Sequence, residues 1–222
     1  MFFPPFLIFF LFVFVFLLFL VFSFMKIGLF ALAFQNLGLS PGALFSIFFL
    51  CIIGSMINIP VRRIPVTHEP EHWEVVSFFG MRFRPPRWNQ RHMVLAINVG
   101  GAIIPTLLSI YLWRKTGTPI RMLIAVAIES FIVFKLARPV PGVGIATPMF
   151  VPPLVAALVA YLVNSQWPAP TAYVAGTLGT LIGADLLNLN KLKQLNAPVV
   201  SIGGAGTFDG IFLTGIIAVL LS

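Results

Sequence analysis

Apolar runs recur along this chain, several of them near the roughly 20 residues that cross a bilayer's hydrocarbon. Charges hardly interrupt them: 59% of the 222 residues are hydrophobic and 9% are charged, a balance suited to lipid rather than water. The expectation is an all-α polytopic membrane protein of about seven transmembrane helices, with broken Gly/Pro-rich segments and one small extramembrane β-hairpin. The 18 Pro and 18 Gly require several helices to kink or stop. A membrane tolerates such breaks where protein or water covers the freed backbone.

Residues 1–36 read as a Phe-rich anchor helix. Eleven of the chain's 24 Phe fall within its first 24 residues, and no positive stretch precedes them, so a retained anchor fits better than a signal peptide. Its apolar run extends from Pro5 to about Phe34, longer than one crossing needs. Residues 37–222 read as the helical membrane domain. Its spans are Ser40-Pro41 to about Pro60, Met93 to Trp113, Thr118-Pro119 to Ala137, Val151 to Val163, Thr171 to Leu189 and Thr207 to Leu221. Residues 61–92 form a polar hairpin insertion, in which EVVSFFGMRFR reads as two short strands joined near Gly80. The segment RPVPGVGIATP, from Arg138 to Pro148, holds too much Pro and Gly for helix and reads as a loop or re-entrant turn.

The net charge of +8 does not indicate nucleic acid, because Arg62, Arg63, Arg82, Arg84, Arg87 and Arg91 share the one polar hairpin. Cations collected at alternate connections fit the positive-inside rule. They place the N-terminus and the hairpin in the cytoplasm, in a multi-pass protein of the cell inner (plasma) membrane. The partners implied are the lipid bilayer and either a transmembrane peptide substrate or a larger membrane complex. The single cysteine, Cys51, excludes an internal disulfide, and no residue pattern calls for a metal or cofactor.

Only two aspartates occur, Asp185 in TLGTLIGADLLNL and Asp209 in GGAGTFDGIFLTGIIAVLL. Carboxylates in hydrocarbon are costly and mark function by default. The two lie at the facing ends of consecutive antiparallel helices, and a carboxyl pair in contact holds one proton and activates water. The structural alternative makes Asp209 a helix cap and pairs Asp185 with Lys191, Lys193 or Arg138. Gly176, Gly179 and Gly183 recur at helix-packing spacing. Glu129 reads as an ordinary pair with Lys135 or as a proton relay. Asn98 and Asn188 read as satisfying backbone groups. The candidate site comprises catalytic Asp185 and Asp209, with Gly183, Asn188, Gly206, Thr207 and Arg138 around them.

The motifs GSMINIP, INVGGAIIP, ARPVPGVGIATP, GTLGTLIGADLLNL and SIGGAGTFDGIFLTGIIAVLL resemble an uncharacterised family of bacterial and archaeal integral membrane proteins, known as a domain of unknown function. More remotely, AGTFDGIFLTG is similar to the GxGD segment of presenilins, signal peptide peptidases and prepilin peptidases. ADLLNL resembles the first-aspartate segment of the presenilin type. That resemblance implies an intramembrane aspartyl peptidase with Asp185 as first aspartate, Asp209 as second and Gly206 as leading glycine. The chain departs from it at Phe208, which holds the second glycine's place, at Ala184, where presenilins carry tyrosine, and in lacking a PAL tripeptide after Asp209. Proton- or ion-coupled transport and a non-catalytic scaffold or assembly role stand as alternatives.

Overall fold

The structure is a computed structural model, and it describes residues 28, 35–65, 76–78, 81–83, 92–140, 144–148, 150–195, 197–204 and 208–222. The expected anchor helix lies almost wholly outside the described residues. Helix α1 (Pro41–Ser55) opens as its sequence requires, with the Ser40 hydroxyl accepting from Ala43 N and proline in the first turn. It leads directly into strand β1 (Asn58–Pro65). Strands β2 (Val76–Phe78) and β3 (Met81–Phe83) pair antiparallel within the polar segment. Strand β4 (His92–Asn98) then enters a π-helical turn (Val99–Ile103) that continues as α2 (Ile104–Thr116).

Helix α3 (Pro119–Leu136) is followed by the short hairpin β5 (Arg138–Val140) and β6 (Gly144–Ala146), where a loop or re-entrant turn is expected. Helices α4 (Val151–Val163) and α5 (Pro168–Thr180) come next. The axis of α5 runs on through a second π-helical turn (Leu181–Asp185) and a 3₁₀ segment (Leu186–Leu195). Strand β7 (Val199–Ile202) and helix α6 (Phe208–Leu221) complete the chain.

The expected all-α fold with seven membrane-crossing helices is corrected by these elements. A three-stranded sheet of order β1-β4-β7 occupies residues assigned to helical spans and loops. Its centre is β4, antiparallel to β1 and parallel to β7, with Val94 opposite Val199 and Ile97 opposite Ile202. His92–Asn98 reads as the start of a helix because HMVLAIN is apolar nearly throughout. A strand with neighbours on both sides and buried on both faces carries that same continuous pattern, so periodicity cannot separate the two. Edge strand β1 accommodates Pro60 and Pro65, which a central strand would not.

The strand and the π turn consume residues that a spanning helix would need. The 13 residues left to α2 measure about 20 Å at 1.5 Å each, short of the hydrocarbon thickness. Among the described residues one helix, Pro168–Leu192, is long and apolar enough to cross a membrane, by length and composition.

That long helix is also the centre of the packing. Tyr173 and Val174 at its start are fully buried with Leu112 of α2, Met122 of α3 and Val219 of α6. Gly176 lies against Ala156 of α4 and Thr214 of α6, while Gly179 and Gly183 lie against Glu129, Ser130 and Val133 of α3. The small-residue spacing read in the sequence is therefore helix packing, on two faces of α5.

The tightest contacts join three backbones. A Cβ on Gly100 would overlap the Cys51 carbonyl and the Ser55 amide, and one on Gly101 would overlap the Gly203 carbonyl. Gly100→Ala is expected to lower stability by about 1–3 kcal/mol, because backbone must move. Gly42→Ala, at a helical glycine with open space around it, is expected to raise stability by about 0.5–1 kcal/mol. Thermal unfolding of the two variants side by side checks the contrast.

Candidate functional site

The glycine contacts bring α1, β4 and β7 to one point, and side chains fasten them there. Asn98 caps the first π turn by accepting from Gly101 N at 2.8 Å. Its amide donates to the Ser55 carbonyl at 2.7 Å and to Asn58 Oδ1 at 3.0 Å. Ser201 Oγ donates to the same Asn58 oxygen at 2.6 Å. The result is a satisfied polar knot at the end of the sheet.

Asp185 is the acid of this knot. It ends the second π turn, is 6% exposed, and its Oδ2 accepts from Gly203 N at 2.8 Å. Gly203 has φ 68°, a left-handed conformation that turns its N–H toward the carboxyl just after β7 ends. Hydrogen bonding to a backbone amide orients the carboxyl and stabilises it where water is scarce.

The cation partners considered for Asp185 are elsewhere among the described residues. Arg138 is exposed at the start of β5, with no ion pair to Asp185. Lys191 Nζ sits 5.3 Å from the Phe134 ring centroid. The Lys193 side chain lies outside the described residues.

Gly183 is a packing glycine against α3. Asn188 is buried and donates to the carbonyls of Gly183 and Ala184 at 2.9 and 3.1 Å, which closes the irregular turns around Asp185. Gly206 and Thr207 lie outside the described residues.

Asp209 stands in the first turn of α6 (Phe208–Leu221), and its side chain is outside the described residues. Its backbone level follows from the packing. Thr214 lies beside Gly176 and Gly215 beside Tyr173, while Gly203, ahead of α6 in the chain, bonds Asp185 at the other end of the long helix, so α5 and α6 run antiparallel. Asp209, five residues before Thr214 in the first turn of α6, therefore lies toward the Asp185 end of the long helix. Gly203, already bonded to Asp185, is six residues before Asp209 in the chain.

Glu129 is a second buried acid, one that its sequence context marks only weakly. It is fully buried on α3, and neither carboxyl oxygen has a hydrogen-bond partner. The expected pairing with Lys135 is corrected: that ammonium lies 5.5 Å from the Phe131 ring centroid instead. Six residues apart on one helix, the two side chains do not share a face. The missing side chain of Gly179 gives the Glu129 methylenes their room. Among the described residues no three of His, Cys, Asp and Glu come together as a metal site needs.

The chain is similar to a family described as "Protein of unknown function (DUF1614)", whose model matches residues 52–221. The match starts within α1 and contains the knot and both aspartates. No curated protein and no solved structure matches the chain.

Asp185→Ala would leave the Gly203 amide without its acceptor, and is expected to cost about 1–3 kcal/mol of stability. Asp185→Asn keeps a carbonyl oxygen in place and is expected to unfold within about 1 kcal/mol of the parent. Thermal or denaturant unfolding of both variants measures the difference.

Proposed function

The chain belongs to the DUF1614 family, and we propose that it is a membrane-embedded hydrolase whose acid pair is Asp185 and Asp209. The substrate class is a peptide bond in or beside the transmembrane segment of another protein. The observation that carries this reading is the buried Asp185 carboxyl, fixed by the Gly203 amide at the head of the segment that delivers Asp209.

In this mechanism one carboxylate takes a proton from a water molecule as that water's oxygen attacks the peptide carbonyl carbon. The other carboxyl, in its acid form, donates a proton to the carbonyl oxygen. Collapse of the tetrahedral intermediate breaks the C–N bond, and the departing nitrogen receives a proton from the pair. The π turn serves this chemistry by placing Asp185, since such turns interrupt helices frequently at functional sites.

Membrane residence is supported by the Pro168–Leu192 helix, which carries Asp185. It is also supported by a broad apolar exterior that includes Leu107, Leu123, Phe131, Leu154, Leu158 and Leu162, all exposed. An outer surface of that kind fits lipid contact. In this reading the chain is multi-pass in the plasma membrane, with the polar hairpin and the acid pair toward the cytoplasm.

A second reading, proton-coupled transport, rests on Glu129. An unpartnered carboxyl between helices suits the uptake and release of a proton.

Reconstituted chain incubated with single-span membrane peptides is expected to yield cleavage products detectable by mass spectrometry. Asp185→Asn and Asp209→Asn should each lower the rate by about 10²–10⁴-fold with the fold intact. Cleavage that persists in the double variant contradicts the hydrolytic reading. Proton flux in proteoliposomes that is lost in Glu129→Gln but kept in Asp209→Asn would favour transport instead.

A further inference from the structure

The end of the helices remote from Asp185 is held together by side chains. Helix α2 ends at Thr116 and α3 starts at Pro119, joined by a tight turn in which Gly117 has φ 63°. Asn164, just past the end of α4, donates through its amide to Thr118 Oγ1 at 2.9 Å and to Thr171 Oγ1 of α5 at 2.8 Å. Lys115 Nζ donates to the Gly38 carbonyl at 2.7 Å, which draws the approach to α1 to the same place. The termini of α1 to α5 are therefore gathered at this one end.

The charges there are of one sign. Arg114, Lys115 and Arg121 are all exposed. No Asp or Glu falls within residues 35–41, 111–122 or 161–171, the segments that form this end. Neither arginine side chain has an ion pair, hydrogen bond or ring contact among the described residues. Exposed cations alone are ordinary on a protein surface; what gives these a direction is the order of side chains beneath them.

On α2, Leu107, Tyr111 and Arg114 follow one another at i, i+4 and i+7, within about 60° on one helix face, and all are exposed. On α4, Leu154, Leu158 and Tyr161 repeat that spacing toward the same end, again all exposed. Trp167, exposed at the start of α5, adds a third aromatic. Aliphatic, then aromatic, then cationic is the order met by a helix leaving hydrocarbon through the headgroups. Water gives an exposed helix face no cause to arrange its residues so.

We propose that this end of the helices is a phospholipid-docking surface, on which Arg114 and Arg121 bind the phosphates of anionic headgroups. A guanidinium pairs with phosphate oxygens through two parallel N–H bonds. Tyr111, Tyr161 and Trp167 lie beneath them at the ester level, and the aliphatic residues below meet acyl chains. Charge selects the phosphate, and the apolar faces that lead up to it select a phosphate carried on a lipid. The inference rests on membrane residence, one part of the proposed function, and not on the hydrolytic chemistry. It also sets a depth: Asp185 lies about 25 Å along the long helix from Trp167, close to the opposite boundary of a hydrocarbon layer about 30 Å thick.

The test uses the full chain reconstituted in phosphatidylcholine vesicles, with the fluorescence of Trp167 isolated as the difference between the parent and Trp167→Phe. Phosphatidylcholine brominated near the headgroup is expected to quench that signal more strongly than phosphatidylcholine brominated deep in the acyl chain. Stronger quenching by the deep bromine, or quenching by aqueous iodide alone in a chain that has inserted, would overturn the proposal. A chain that never enters the vesicles overturns membrane residence and this inference with it. No cleavage is measured, so the hydrolytic reading can fail while this result stands.

The headgroup is tested at the same tryptophan. Brominated phosphatidylglycerol at equal mole fraction is expected to quench Trp167 more than brominated phosphatidylcholine. Arg114→Gln with Arg121→Gln is expected to lower that preference about fivefold for each arginine removed. An unchanged preference in the glutamine pair overturns the assignment of the arginines. Excess inorganic phosphate is expected to leave the parent's preference as it was. Its loss on adding phosphate would mark a site for the free anion and overturn the lipid surface.

Discussion

The Gly203 amide reaches the Asp185 carboxyl because three stretches of backbone lie almost in contact. Gly54 and Ser55 at the end of α1, Gly100 and Gly101 in the first π turn, and Gly203 after β7 crowd together where no side chain would fit. The parallel pairing of β4 with β7 sets the height at which the chain leaves the sheet, and the Gly203 turn then aims its N–H at the helix. Remove the close approach and the sheet, the central helix and the lead-in to α6 have no common anchor. The buried carboxyl would then lose the partner that makes its burial tolerable.

Helix irregularity is the second device on which the site depends. Both π turns follow the same logic, inserting one residue where regular geometry would misplace a group. The first carries the chain from a central strand into α2 with its opening amide capped by Asn98. The second rotates Asp185 away from α3 and toward the segment that holds Gly203. Ala184, one residue earlier, is buried in the same apolar cluster as Met93 and Leu95 of β4.

What could be read from residues alone divides along physical lines. The burial of Asp185, the packing glycines of the long helix and the backbone-satisfying role of Asn98 were legible, because a rare acid in apolar sequence and a small-residue period each have a narrow set of causes. The capped start of α1 was legible from Ser40-Pro41 for the same reason. Strand β4 was not, since a run buried on both faces carries no alternation to distinguish it from helix, and the four residues of β7 lie in a stretch that reads as a connection. The π turn at 181–185 leaves no mark in composition. The isolation of Glu129 was within reach, because a spacing of six residues to Lys135 already argued against a shared face.

The central claim is that Asp185 and Asp209 act as one coupled pair. The chain has only these two aspartates, so carboxyl-labelled aspartate gives two signals without further assignment work. The most direct measurement is the titration of those signals by carbon-13 NMR in lipid, for the parent chain and each Asn variant. The account predicts that in the parent both signals follow the same two macroscopic steps, and that Asp209→Asn or Asp185→Asn leaves a single simple step. Two independent titrations in the parent, with the Asp185 signal indifferent to the identity of residue 209, would contradict it.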